Sequence, residues 1–330
     1  MNEVDTGRSK YIPLSFDGIR TRSVWTRRNL VSIDNMAQPG VDPVSTWDAP
    51  GFSELVEAIV AARKRDRPVI WSMGAHVIKN GMSRYIIEMV RRGVVTHVAG
   101  NGASSIHDFE LAFLGATSQD VASSIEDGSF GMWEETGRIM NEAIQEGVKR
   151  GLGYGASLAA YASARAERFP HLNDCVFAET SRLGVPYTCH ISIGTDIIHQ
   201  HPAVDFAALG LASGIDFEIF CTSVLALEGG VLLNFGSAVS GPLLFLRALA
   251  VAHNTGRVVR GFAAANFDIR PLRGVTLDGD EASYTTPGEE ALIRLPKVLG
   301  GVGYAFHGLH QATIPNLYAR ILARWGRDHG

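Results

Sequence analysis

From Ser53 onward the chain alternates two apolar patterns. Leu55, Val56, Ile59 and Val60 recur at helical spacing, which predicts a helix with one buried face. Asp66-Arg67-Pro68 then stops it. Val69-Ile70-Trp71-Ser72-Met73 is a continuous apolar run closed by Gly74, the mark of a strand buried on both faces. Ile86, Ile87, Met89 and Val90 predict the next helix, and Val94–Ala99 the next strand, closed by Gly100-Asn101-Gly102. A helix through Ile106, Phe109, Leu111, Ala112 and Phe113 follows. Further strands are predicted at Tyr187–Ile193, Val231–Phe235 and Val258–Ala264. Short apolar strands alternating with amphipathic helices predict a doubly wound α/β fold, a parallel sheet with helices on both faces. Residues 1–50 show no period and read as an irregular N-terminal arm. Residues 51–330 read as a single domain, with Gly151–Pro170 a tight helix-packing surface rather than a linker.

Such sheets bind ligands at the carboxyl ends of their strands. There the sequence places Gly100-Asn101-Gly102-Ala103-Ser104-Ser105 between a strand and a helix. Glycines let backbone approach a phosphate, and a helix start offers free N–H groups. Gly74-Ala75-His76 ends the neighbouring strand in the same way, so the pair suggests a dinucleotide crevice. A second cluster runs from His190 through Gly194-Thr195-Asp196 to His199-Gln200-His201. It reads either as a substrate carboxylate at Asp196, as packed histidines, or as the ligands of a metal-dependent hydrolase built from His190, Asp196, His199 and His201. Glu228–Ser237 and Ala263–Asp268 are two further strand ends rich in small residues.

In order, these pieces resemble deoxyhypusine synthase and its bacterial relatives. Residues 72–110 are similar to that family's turn, helix, strand and glycine turn. The likeness resumes at Val185–Asp196, Gly229-Gly230, Asn266-Phe267-Asp268 and Pro287–Ala291. The resemblance implies a Rossmann-like form of the fold, bound NAD, and a homotetramer with cofactor sites between paired subunits. It implies that Ala75, His76, Gly100, Asn101, Gly102, Gly194 and Asn266 lie near NAD; Ala103 and Ser104 join them through the glycine turn. Asp196 and Glu290 would face a small amine, with His190 a third candidate catalytic residue. The implied chemistry is transient oxidation of that amine and transfer of its carbon chain, as on polyamines. The family's Trp-Gly-Lys is absent and Lys297 is displaced, so no lysine adduct is expected. A related resemblance is to ornithine-cyclising enzymes, carried by Gly100-Asn101-Gly102 with His107-Asp108-Phe109-Glu110. That chemistry oxidises an amine, releases ammonia and needs no lysine. A non-catalytic NAD-binding protein is the remaining reading.

Composition narrows the partners. Of the 330 residues, 46% are hydrophobic and 19% charged, which suits a globular enzyme. A formal net charge of -4 with no basic face gives no purchase for nucleic acid. Three scattered cysteines and no CxxC pair fit a reducing compartment. The first residues are polar, and Val231–Phe235 and Leu243–Val251 are too short to span a bilayer. A cytoplasmic protein without membrane contact is expected.

Overall fold

The computed structural model describes residues 13–270 and 286–325. Its centre is a six-stranded sheet in which every pair is parallel. The strands are β1 (Val69–Met73), β2 (His97–Asn101), β3 (Tyr187–His190), β4 (Val231–Phe235), β5 (Ala263–Asp268) and β6 (Val302–His307). Their order across the sheet is β3-β2-β1-β4-β5-β6. The chain thus builds outward from β1 in one direction, returns, and builds outward in the other. That 3-2-1-4-5-6 order is the Rossmann arrangement, with its switch point between β1 and β4. The expected α/β class is the observed one.

The crossovers explain the two covered faces. α1 (Phe52–Lys64) precedes β1; α2 (His76–Lys79) and α3 (Ser83–Arg91) lead to β2. The long β2–β3 connection holds α4 (Gly102–Leu114), α5 (Val121–Glu126), α6 (Glu134–Val148), α7 (Tyr154–Ser163) and α8 (Val176–Arg182). α9 (Phe206–Leu225) and α10 (Ser240–Asn254) make the next two crossovers, helical turns over Pro287–Val298 the last, and α11 (His310–Trp325) follows β6. Alternate strand residues go to opposite cores. Val69, Trp71, Leu233 and Phe235 pack beneath α1, α3 and α4, whereas Ile70, Leu232 and Ala264 pack with Phe220 of α9 and Phe245 of α10. Across β1, β4 and β5 the rings of Trp71, Phe235 and Phe267 stack at 3.9 and 4.4 Å. In the arm, Val31–Ser32 pairs antiparallel with Ala116–Thr117.

Several expectations shift. β3 stops at His190, three residues early, because its partner β2 ends at Asn101 opposite it, and the chain turns at Ile193–Gly194. The strand expected at Val258–Ala264 lies instead at Ala263–Asp268, and β6 was not anticipated. The Gly151–Pro170 stretch does pack tightly. A side chain at Gly147, Gly153 or Gly155 would collide with Ser157, Asp216 or Tyr187, so α7 is buried inside the chain and offers no outward patch. α9 is an apolar segment that the expected pattern of strands and helices does not include. Its 20 residues have a mean hydropathy of 1.5, long and apolar enough by composition to cross a membrane. Here it covers one face of the sheet, and its Asp216 accepts hydrogen bonds from Gly155 and Cys189 N–H at 3.0 and 2.7 Å.

Candidate active site at the carboxyl ends of the strands

Two sites lie at this edge of the sheet, one beyond β2 and β3 and one at the switch point. The first begins at α4. Asn101 caps the helix, accepting from Ser104 N–H at 2.9 Å while Ser104 Oγ accepts from Asn101 N–H at 2.9 Å. Gly102 is required by what lies over it: a Cβ there would come within 1.9 Å of Asp196 Oδ2. The first turn of α4 is therefore already covered by the chain's own carboxylate. The helix dipole favours an anion at that point, but burial dominates and pushes the Asp196 carboxyl up to about 6. Its neighbour His199 is fixed from behind. Nδ1 accepts from Gly194 and Asp196 N–H at 3.1 and 3.2 Å, so the ring proton sits on Nε2, 3.7 Å from Asp196 Oδ2.

Asp196 lines a cavity of about 220 Å³ together with Arg27, Lys79, Ala103, His107 and Glu110. Arg27 and Glu110 form a two-pronged ion pair at 2.8 and 2.7 Å, with side chains only 3% and 2% exposed. Burial alone would raise the Glu110 carboxyl. Arg27, Thr117 and Thr136 outweigh it and hold Glu110 below its ordinary value. Thr117 donates its hydroxyl proton to Glu110 Oε2 at 2.5 Å and lies 2.8 Å from His107 Nδ1. A hydroxyl has one proton to give, so His107 must donate from Nδ1 and keep a bare Nε2 as acceptor. Burial pushes this imidazole down to about 4, leaving it neutral near pH 7. Lys79 makes no ion pair among the described residues.

The second site is the switch point. Gly74 follows β1 so closely against β4 that a Cβ there would lie 2.7 Å from Gly236 O. Asn234 on β4 donates to Asn266 Oδ1 on β5 at 2.7 Å and to Ser237 O at 2.9 Å. Its own Oδ1 is buried without a partner. The turn is bordered by Ser72, Ser237 and Gly241, and His310 stands beside Gly236. α2 links the two sites, starting at His76 in the switch-point turn and ending at Lys79 on the cavity.

The structure thus brings together Gly100, Asn101, Gly102, Ala103, Ser104 and Asp196, and at the switch point Ala75, His76 and Asn266. It separates others. His190 bonds Thr188 at 2.9 Å and lies edge-on to Phe220 of α9; burial pushes it down to about 3, and it does not line the cavity. Glu290 pairs with Arg294 and is likewise absent from the lining, while Gly194 lies in the exposed turn before Asp196 with φ +94°. The metal-hydrolase reading fails on geometry. His190, His199 and His201 point to Thr188, Asp196 and Glu134 respectively. No three His, Cys, Asp or Glu among the described residues are grouped to hold a metal ion. Tyr284 and Thr285, ahead of Pro287–Ala291, lie outside the described residues.

No protein-family model matches the chain, and no curated protein does. Similar solved structures include ArgZ, an arginine dihydrolase from the ornithine-ammonia cycle in cyanobacteria, at 16% identity and TM-score 0.47 over 85% of this chain and 33% of that one. A putative LOR/SDH protein from Methanococcus maripaludis S2 gives 15% identity and TM-score 0.49 over 88% and 74%. AgrE, solved as a ternary complex with ornithine and NAD+, gives 17% and 0.48 over 87% and 35%. The chain spans about a third of the length of ArgZ and AgrE. Likeness at this level describes the fold. The resemblance to deoxyhypusine synthase is corrected: the similar structures include ArgZ, AgrE and a LOR/SDH protein. The motifs behind that resemblance are glycine turns after parallel strands, which the architecture itself demands. The polyamine chemistry and tetramer that it implied lose their basis with it.

Proposed function

We propose that this chain is an NAD-dependent enzyme that oxidises an amine-bearing carbon of a small amino compound. One observation carries the reading. The switch point of a Rossmann-ordered sheet, with a buried acceptor lacking its donor, is joined through α2 to a cavity holding a carboxylate and an unpaired lysine. Bound NAD supplies a hydride acceptor. Asp196 offers its carboxylate to an ammonium group by a charge-assisted hydrogen bond, and Lys79 offers a cation to an acidic end. His107 Nε2, neutral and aimed by Thr117, accepts the proton that the ammonium must lose. The carbon then gives up its hydrogen with the electron pair, and the C–N bond becomes a double bond. Water or a second amine of the same molecule can attack the resulting iminium and release ammonia.

An ornithine-cyclising deamination is the form these residues fit. It needs no lysine adduct, and Lys297 lies just ahead of β6, at the amino edge of the sheet. Calorimetry with NAD, followed by NADH absorbance with L-ornithine, L-arginine and L-lysine, tests the proposal. Binding of NAD and reduction with one of these amino acids is expected; failure to bind NAD would sink it. Self-association belongs to the same proposal. It is supported by the outward side of α9, where Phe206 and Leu211 are 44% and 54% exposed. A mass above one chain in light scattering is expected.

A further inference from the structure

We infer that the diphosphate of the dinucleotide docks on the first turn of α10, over Ala238–Gly241, and not on the glycine turn that opens α4. This rests on the NAD reading above. Four helices begin at the carboxyl edge near the switch point; α11 starts beyond the edge strand β6, its buried His310 reaching back to Gly236, and the other three follow β1, β2 and β4 at the centre of the sheet. α4 is closed to a phosphate, because the Asp196 carboxylate occupies the space over Gly102 and Asn101 and Ser104 cap each other. A second anion there would meet that carboxylate at close range. α2 has four residues, too few for a developed helix dipole.

α10 differs from both. It has 15 residues, its N-cap Val239 provides no side-chain cap, and Pro242 in its first turn has no N–H to give. Gly241 N–H donates to Ser237 Oγ at 2.9 Å, but among the described residues the N–H groups of Ala238, Val239 and Ser240 meet no acceptor. Val239 is 55% exposed, so the turn faces solvent. Helix starts with free N–H groups and small side chains bind phosphate. The second observation is independent of the helix. Asn234 is 2% exposed, yet its Oδ1 has no hydrogen-bond partner and lies 2.9 Å from where Gly241 would carry a Cβ, in that same first turn. An orphaned acceptor there lacks a donor, and a dinucleotide offers hydroxyl donors on the ribose beside each phosphate. Ser72 Oγ and Ser237 Oγ border the same spot.

The test uses the full chain, labelled for amide NMR, with ADP-ribose as probe. Saturable shifts are expected at Ala238, Val239, Ser240 and Gly241, with Gly102–Ser104 little changed. Affinities of two folded variants supply the second measurement. Ser240→Asp should weaken ADP-ribose by roughly tenfold or more, equivalent to about 1.4 kcal/mol, and Ala103→Asp by no more than about threefold. Shifts centred on Gly102–Ser104, or the reverse order of the two variants, would overturn this placement while leaving NAD binding standing. Absence of both NAD and ADP-ribose binding would overturn the placement and the cofactor reading together.

Discussion

The two halves of the sheet's carboxyl edge share one architecture and differ in their chemistry. Beyond β2 and β3 the space is filled with charge: Asp196, the Arg27–Glu110 pair, Lys79 and a neutral His107. Beyond β4 and β5 it is lined by Gly236, Ser237, Asn234 and Asn266, and the ion pair there, Asp268–Arg270, has its arginine 67% exposed. The first half is suited to holding a charged molecule in a fixed orientation. The second leaves backbone N–H groups uncovered. Charge is costly to bury and must be satisfied by the chain itself, so the same parallel strands produce a built pocket on one side and an open shelf on the other.

That contrast can be broken most severely at Glu110. Glu110→Gln leaves the Arg27 guanidinium buried without its counter-charge, and a loss of about 3–5 kcal/mol in chemical denaturation is expected. A loss near zero would mean that water reaches the pair.

The next effect depends on pH. Asp196 titrates at about 6 in the folded chain against about 3.9 unfolded. The folded state therefore holds the extra proton between those values, and stability falls as pH rises through that window. Asp196→Asn should gain up to about 3 kcal/mol at pH 8 and nothing near pH 4. The histidines act at the other end. His97 and His190 are both pushed down to about 3 by burial, so the unfolded chain takes up their protons first and stability falls as pH drops from about 6.5 toward 3. An Asp196→Asn protein with an unchanged stability–pH curve would contradict the buried carboxylate.

Gly102→Ala should cost about 1–3 kcal/mol, because the new Cβ would force Asp196 off the start of α4. The same substitution tests the cavity, since a displaced Asp196 should also weaken any amino-acid ligand. A milder probe is His107, whose ring nitrogens should report Nδ1 protonated and Nε2 bare; Thr117→Val should scramble that preference. The smallest effect belongs to the open half. Arg270→Ala should stay within about 1 kcal/mol of wild type, as exposed pairs do.

The sequence was most legible where the chain punctuates itself. β1 and β2 stand out because Pro68, Gly74 and Gly100 bound continuous apolar runs. β6 was missed because five of its six residues keep some exposure, so Val302–His307 lacks the buried-strand signature. His190 was misplaced by parity. Tyr187 and Cys189 face the α4 side, so Thr188 and His190 face α9, and one step along a strand changes the face. The Arg27–Glu110–Thr117–His107 chain joins segments far apart in sequence, and no local pattern could assemble it. One hint is present: Asp108 and Glu110 are acidic residues flanking Phe109 and followed by the apolar run Leu111–Leu114, a position where charge survives only with partners. Nothing in the order of residues indicated that Asp196 would close over Gly102.

The switch point has a consequence for how the molecule is made. β1 appears early in the chain, yet its partner β4 arrives only after β2, β3 and every helix between them. The centre of the sheet, where Trp71 stacks on Phe235, is therefore one of its most non-local contacts, and closing it must wait for much of the chain. Such contacts slow folding because the loop entropy is lost before the contact energy is gained. A half-finished molecule would carry β1 as a bare edge beside a formed charged pocket. The buried Trp71 ring is placed to signal the moment at which the two halves join.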